Sequence, residues 1–247
     1  MIHRFKTIDS TNTYAKELAA KGAPHGTVVV ADHQTGGRGR MGRSFHSPAG
    51  TGLYLSMILR PEANAQQLMH LTCAAAVAAC DAIEEITGLR PGIKWTNDLV
   101  WEGHKLGGIL TELGFSSDRL DYGVIGIGIN CNQTLADFPA ELQQIASSLS
   151  MVTGKVIDRT ALENALIQRL EETASLLIQQ KSSIMAHYRA DCITLGKEVS
   201  VIQGDKIIHA EAVDIDPDGG LVIRFPNGNQ QTVSSGEVSV RGVYGYV

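Results

Sequence analysis

An α+β protein is expected here: a mixed β-sheet packed by helices, followed by a small β-barrel at the C-terminal end. Three observations predict it. Short apolar runs bounded by turn residues crowd the first 130 positions. Two long stretches carry helical periodicity, at 65–87 and 158–188. Past Gly196 the texture changes to brief alternating runs between glycine-containing turns.

Residues 1–8 read as a short strand. Asp9-Ser10-Thr11 offers side-chain oxygens that can cap a helix, and 12–21 continues as that helix, with Tyr14, Ala15, Leu18 and Ala19. Residues 26–32 form a strand that feeds a glycine-rich loop. A second apolar strand covers 51–60 and stops at Pro61, which has no N–H for a ladder. In the helix at 65–87, Leu68, Leu71, Ala75, Ala79, Ala82 and Ile86 share one stripe, and its alanines suit close packing on a sheet. Gly88 ends it. Strands follow near 92–95, 98–102, 106–114 and 121–130. The helix at 158–188 starts from Asp158 as its cap and aligns Leu162, Leu166, Leu170 and Leu177. The barrel strands are 199–202, 207–215, 221–225, 231–233 and 238–240, with turns at Gly204-Asp205, Asp218-Gly219 and Asn227-Gly228. The division is 1–190 for a large domain and 191–247 for a small one.

Composition narrows the class. With 21 basic against 26 acidic residues the formal charge is −5, which argues against general nucleic-acid binding. No apolar run approaches membrane-spanning length, and the N-terminus lacks a signal-peptide core. Cys73 and Cys80 lie two helical turns apart, too far for a disulfide. No Cys-x-x-Cys pair is present, and no histidine sits at zinc-ligand spacing to a cysteine. Cys73, Cys80, Cys131 and Cys192 are therefore expected as buried thiols of a cytoplasmic protein.

The chemistry concentrates in three segments. From Gln34 to Arg43 four glycines and three arginines share ten positions. Glycine lets the backbone approach a ligand closely, and arginine supplies a fixed fork of donors for carboxylate or phosphate. The loop is neither a P-loop, since no Gly-Lys-Ser/Thr closes it, nor a dinucleotide fingerprint, since arginine stands where a helix should open. The second segment is Lys94-Trp95-Thr96-Asn97-Asp98 followed by Lys105 to Glu112. In an extended strand Lys105 and Gly107 share a face opposite Leu106 and Leu110. That face is either a ligand contact or an ordinary exposed lysine ahead of a core strand. In the third, Gly123 to Asn130, Ile125, Ile127 and Ile129 point one way and Gly126, Gly128 and Asn130 the other. A bare face fits a flat ligand against the backbone or a closely packed helix.

Asp-Ser-Thr-Asn at 9–12, Gln-x-x-Gly-Arg-Gly-Arg at 34–40, Lys-Trp-x-Asn-Asp at 94–98, Lys-Leu-Gly-Gly-Ile-Leu at 105–110 and Gly-Ile-Gly-Ile-Asn at 126–130, in this order, resemble the biotin–protein ligases. The resemblance covers 1–190 as a catalytic domain of class II synthetase-like fold and the tail as the family's Src-homology-3-like barrel. It implies the ligase-only form, without an N-terminal DNA-binding domain. Such enzymes join biotin to ATP as biotinyl-5′-AMP, with Mg²⁺, and pass biotin to one lysine of a biotin carboxyl carrier protein. The resemblance implies a cytoplasmic monomer or homodimer acting on neither nucleic acid nor membrane.

By the same resemblance Ser10, Thr11, Asn12 and Gln34 line the biotin pocket, and Arg38, Gly39 and Arg40 cover biotin and phosphate. Lys105 reaches the biotin carboxylate and the bridging oxygens. Phe45, Lys94, Asn97 and Asn130 join Arg38 and Arg40 on the nucleotide. Lys105, Arg40 and Asp98 are the implied catalytic set. Asp98 either orients the acceptor lysine or contacts Mg²⁺, and Arg43 either binds phosphate or forms a surface ion pair. Ser10 and Thr11 serve equally as helix caps. Trp95 is expected in the core. Two positions depart from the family pattern: Thr96 replaces a usual proline, and Phe45 stands near a usual tryptophan, either as an aromatic lid or as a core residue. Two rival readings are a lipoate–protein ligase, whose arginine/glycine signature Gly-Gly-Arg-Gly-Arg does not match, and a non-catalytic biotin- or nucleotide-binding regulator, against which Lys105 and Asp98 together weigh.

Overall fold

The computed structural model describes residues 1–116, 119–203, 206–234 and 237–240. Seven strands form the main sheet: β1 (Ile2–Ile8), β2 (Val28–Gln34), β3 (Gly52–Leu59), β4 (Gly92–Lys94), β5 (Asp98–Trp101), β6 (His104–Ser116) and β7 (Arg119–Asn130). Their order is β1-β2-β3-β7-β6-β5-β4. Only β1 and β2 run parallel; the other neighbours are antiparallel.

The alternation along the strands sorts the two faces. Ile125, Ile127 and Ile129 pair across to Met57, Leu55 and Leu53, so these six side chains share one face. Against it lie helices α2 (Leu71–Thr87), α4 (Arg159–Leu176) and α5 (Lys181–Asp191), enclosing the main core. The alanines of α2, from Ala74 to Ala82, are buried and let this helix approach the sheet closely. On the opposite face helix α1 (Thr11–Ala20) buries Ala15 and Ala19 against Val29, Ile58 and Val124. Its first turn sets Asn12 over Gly126, and Gly128 and Gly108 lie further along the same face in the site.

The boundaries follow their capping chemistry. Ser10 Oγ accepts from Thr13 N at the start of α1, and Gly88 closes α2 at φ 72°. The periodicity over 65–87 overran the first turn: 66–68 is a 3₁₀ turn and α2 begins at Leu71. The single helix expected over 158–188 is two. Asp158 Oδ1 accepts from Thr160 N and Ala161 N to cap α4, but the chain turns after Leu177. There the buried His70 Nε2 donates to Leu177 O at 2.9 Å, satisfying a carbonyl that a continuous helix would have bonded internally. A short helix, α3 (Leu149–Thr153), capped by Ser148 and Gly154, lies in a stretch with too few turns for periodicity to reveal.

The C-terminal strands β8 (Glu198–Gln203), β9 (Lys206–Ile215), β10 (Leu221–Arg224), β11 (Gln230–Val233) and β12 (Glu237–Val240) form an antiparallel sheet in the order β11-β10-β9-β8-β12. The turns expected at 218–219 and 227–228 are present, with Gly219 at φ 90° and Gly228 at φ 85°. The turn at Gly204-Asp205 lies outside the described residues. All four cysteines are buried and unpaired, and burial pushes the Cys73 and Cys131 thiols up to about 12.

Candidate active site

The arginine loop folds as a small hairpin over the glycine-rich part of the sheet. Gly39 N donates to Arg43 O at 2.7 Å and Phe45 N to Gly37 O at 2.9 Å, with Arg38 and Ser44 bridged between them. Met41 (φ 55°) and Gly42 (φ 74°) make the tip. Gly37 has to be glycine, since a Cβ there would meet Phe45 O and Ser47 Oγ. Phe45 packs over Gly128, and its ring stands edge-on to Tyr54 at 6.4 Å between centroids.

Beneath the loop, polar side chains form a directed chain. Thr11 N and Oγ1 donate to Gln34 Oε1 at 2.8 and 3.0 Å, and Gln34 Nε2 donates to Ser47 Oγ at 2.9 Å. Ser56, wholly buried in β3, lies 2.8 Å from Thr11 Oγ1 and 2.6 Å from Asn12 Oδ1. Asn12 Nδ2 donates to Leu110 O and to Glu112 Oε2, and Lys16 Nζ donates to Glu112 Oε1. Buried polar groups of this kind carry a cost unless each is paired, and here each makes a bond.

A second cluster stands at the far end of the cleft. Lys105 Nζ lies 2.7 Å from Asp98 Oδ1. Asn97 Nδ2 donates to Asp98 Oδ1 and to Ile109 O, and Arg40 Nη1 donates to Asn97 Oδ1 at 3.1 Å. Burial pulls the Arg40 guanidinium below its ordinary pKa while the Asp98 charge pushes it back; a guanidinium stays charged at neutral pH. The phase expected along β6 is corrected. Leu99 pairs with Gly107 but Val100 pairs with Lys105, so a bulge inserts one residue. Gly108, not Gly107, therefore sits beside Lys105, with the ammonium in contact range of a Cβ placed there. For the same reason Leu110 faces the cleft, opposite the buried Leu106.

The cleft wall brings together Ser10, Thr11, Asn12, Gln34, Arg38, Gly39, Arg40, Arg43, Phe45, Lys94, Asn97, Asp98 and Lys105. Asn130 is placed otherwise. It is buried beside the wall, and its Nδ2 donates to Ser147 O at 3.0 Å and to Lys105 O at 3.4 Å, clamping the start of β6. Trp95 is 5 % exposed, its indole N–H donates to Gly219 O at 2.8 Å, and its peptide bond to Thr96 is cis. Ser56 and Glu112 were not singled out as site residues. The signal for Ser56 was there: the one serine in the run Leu-Tyr-Leu-Ser-Met-Ile-Leu has to find buried partners for its hydroxyl.

Residues 4–130 match the biotin/lipoate A/B protein ligase family, and 194–241 match the biotin protein ligase C terminal domain. The chain belongs to the biotin/lipoate A/B protein ligase family. Among its relatives, the bifunctional ligase/repressor BirA of Bacillus subtilis is 38% identical over 229 residues, covering 92% of this chain and 70% of that protein. The biotin–[acetyl-CoA-carboxylase] ligase of Mycobacterium tuberculosis is 33% identical, with 93% and 85% covered. The structure of the biotin protein ligase from Aquifex aeolicus in complex with biotin and ATP superposes with a TM-score of 0.78 at 33% identity, over 97% of this chain and 98% of that one. The β-sheet with its helices is thus the family's catalytic fold, and the five-stranded tail is its C-terminal domain.

Proposed function

We propose that this protein is a biotin–protein ligase, which condenses biotin with ATP to biotinyl-5′-AMP and pyrophosphate and then transfers biotin to a lysine of a carboxylase carrier protein. The observation that supports it is the pairing of two clusters in one cleft: a hydrogen-bonding pocket built on Thr11, Asn12 and Gln34 with Arg38 beside it, and a cationic end built on Arg40 and Lys105. The first step forces a carboxylate onto an α-phosphate, and like charges at short range in a partly dry cleft repel strongly. Donors and charge that are already in place lower that barrier.

In this reading Ser10, Thr11, Asn12 and Gln34 meet the ureido end of biotin, and Gly39 with Arg38 closes over it. Lys105 meets the carboxylate and the departing negative charge; Arg40 steadies the phosphates. Phe45, Lys94 and Asn97 flank the nucleotide, and Asn130 serves it indirectly by holding Lys105. In the second step the acceptor amine attacks the acyl carbonyl and AMP leaves, with Asp98 accepting a hydrogen bond from the incoming amine. A resident Mg²⁺ does not fit these residues. Lys105 already neutralises the charge of Asp98, and no group of three His, Cys, Asp or Glu stands together among the described residues. The cation enters with ATP as part of the substrate.

The carrier as partner, action in the cytoplasm and independence of nucleic acid belong to the same proposal, the last supported by the net charge of −5. Incubation with biotin and MgATP, without a carrier, tests it by mass spectrometry. Biotinyl-AMP and pyrophosphate are expected; product with lipoate in place of biotin, and none with biotin, would overturn the substrate assignment.

A further inference from the structure

Glu112 is a carboxylate that stands behind Asn12, outside the cleft wall, and its position beside a pocket for an anion is physically awkward. Its side chain is 21% exposed, and it borders, through Asn12 and Arg38, a cleft that must admit an anionic acid. Two cations hold it: Lys16 Nζ at 2.7 Å from Oε1, and Arg38 Nη1 at 3.5 Å from the same oxygen. Burial pushes the Glu112 carboxyl up, but the hydrogen bonds from Lys16 and Asn12 and the charges of Lys16 and Arg38 outweigh it, leaving it below its ordinary value. It is therefore ionised, and an ionised carboxylate can only accept hydrogen bonds.

That property reaches the cleft through Asn12. Glu112 Oε2 lies 3.0 Å from Asn12 Nδ2, and Leu110 O lies 3.2 Å from it. Two acceptors on one side of an amide leave it a single orientation, NH₂ toward Glu112 and oxygen away. The other neighbour, the Ser56 hydroxyl, can donate or accept and so imposes no choice of its own. Asn12 Oδ1 consequently lies over Gly126 on the cleft wall, accepting from Ser56 with its second lone pair available.

We propose that Glu112 is a positioning residue that sets substrate selectivity: by locking the Asn12 amide with its oxygen on the cleft, it favours an acid whose ring carries an N–H donor. This rests on the biotin-ligase reading, and it adds a residue and a reason for selectivity to that reading. Lys16 makes the arrangement tolerable, since it compensates the carboxylate whether or not Arg38 turns toward an incoming anion.

The test compares biotin with a ring N-methylated biotin in ATP-dependent pyrophosphate release, for the wild type, Glu112→Gln and Glu112→Ala. Glutamine is isosteric but can turn its own NH₂ toward Asn12 and release the lock. For both variants KM for biotin is expected to rise about tenfold with KM for ATP little changed, and the preference for biotin over the N-methyl analogue to fall by a similar factor. Unaltered preference in a folded Glu112→Gln protein, or parallel rises in KM for biotin and ATP, would overturn the proposal while leaving the ligase reading intact. A wild type that releases no pyrophosphate with biotin would overturn both. If Glu112→Ala fails to fold, Glu112→Gln decides alone.

Discussion

Lys105 carries a compact charge on a flexible stem, and Asp98 at 2.7 Å holds that charge over Gly108 before any substrate is present. Its role in the proposed reaction is electrostatic, so Lys105→Ala should lower the rate of adenylate formation by about a hundredfold or more, with a normal circular dichroism spectrum. Single-turnover pyrophosphate release measures it. Gly126 is informative in the opposite sense. A Cβ there would meet Asn12 Oδ1, so Gly126→Ala should displace the amide and raise KM for biotin with little effect on KM for ATP. The motif Gly-Ile-Gly-Ile-Asn announced a bare face, but not what lies on it. Asn12 and Phe45, distant in sequence, fill the space, and Asn130 turns its amide into the backbone instead of the cleft. A side chain's final hydrogen-bond partner depends on carbonyls contributed by other elements, and those of Lys105 and Ser147 have no local signature.

Among the elements, the arginine hairpin and the break between α4 and α5 carry the clearest consequences. The hairpin closes the cleft through Arg40, whose guanidinium reaches Asn97 at 3.1 Å. Arg40→Gly removes that tie and adds backbone freedom at a turn that already holds Met41 and Gly42. Such a variant should release biotinyl-AMP faster than the wild type and label lysines of an unrelated protein, measured by adenylate half-life on the enzyme and by blotting. The α4–α5 break depends on His70. Burial lowers its pKa, outweighing the hydrogen bond to Leu177 O, which favours the protonated ring. The unfolded chain binds that proton more readily, so this stabilisation is complete above about pH 6.5 and is lost as pH falls below it. Thermal melts at pH 7.5 and 5.5 should show a larger loss for the wild type than for His70→Gln. The leucine stripe from Leu162 to Leu177 was legible as helix, since a repeat of 3.6 is local information. The bend was not, because its cause sits more than a hundred residues upstream, at the start of α2.

At the scale of the whole molecule, the C-terminal sheet and the catalytic sheet share a buried seam. Trp95 Nε1 donates to Gly219 O, Thr194 Oγ1 receives Trp95 N, and Ile193 N donates to Ile93 O. Lys181 pairs with Asp218 and Arg189 with Asp214 across the same boundary, though half-exposed ion pairs add little to stability. The seam supports the hairpin that carries Asn97 and Asp98. Trp95→Phe would leave the Gly219 carbonyl buried without its donor, and should cost about 1–3 kcal/mol in urea unfolding. The element types along the chain, the family and most of the cleft's residues were readable in the linear order, because patterning, capping and short motifs are local properties that survive without a structure. Which faces of the strands meet the ligand, how the β6 bulge moves Gly108 beside Lys105, and how Ser56 and Glu112 polarise the pocket depended on strand register and on buried partners far apart in sequence. Register brings those groups within hydrogen-bonding distance only when the whole sheet forms.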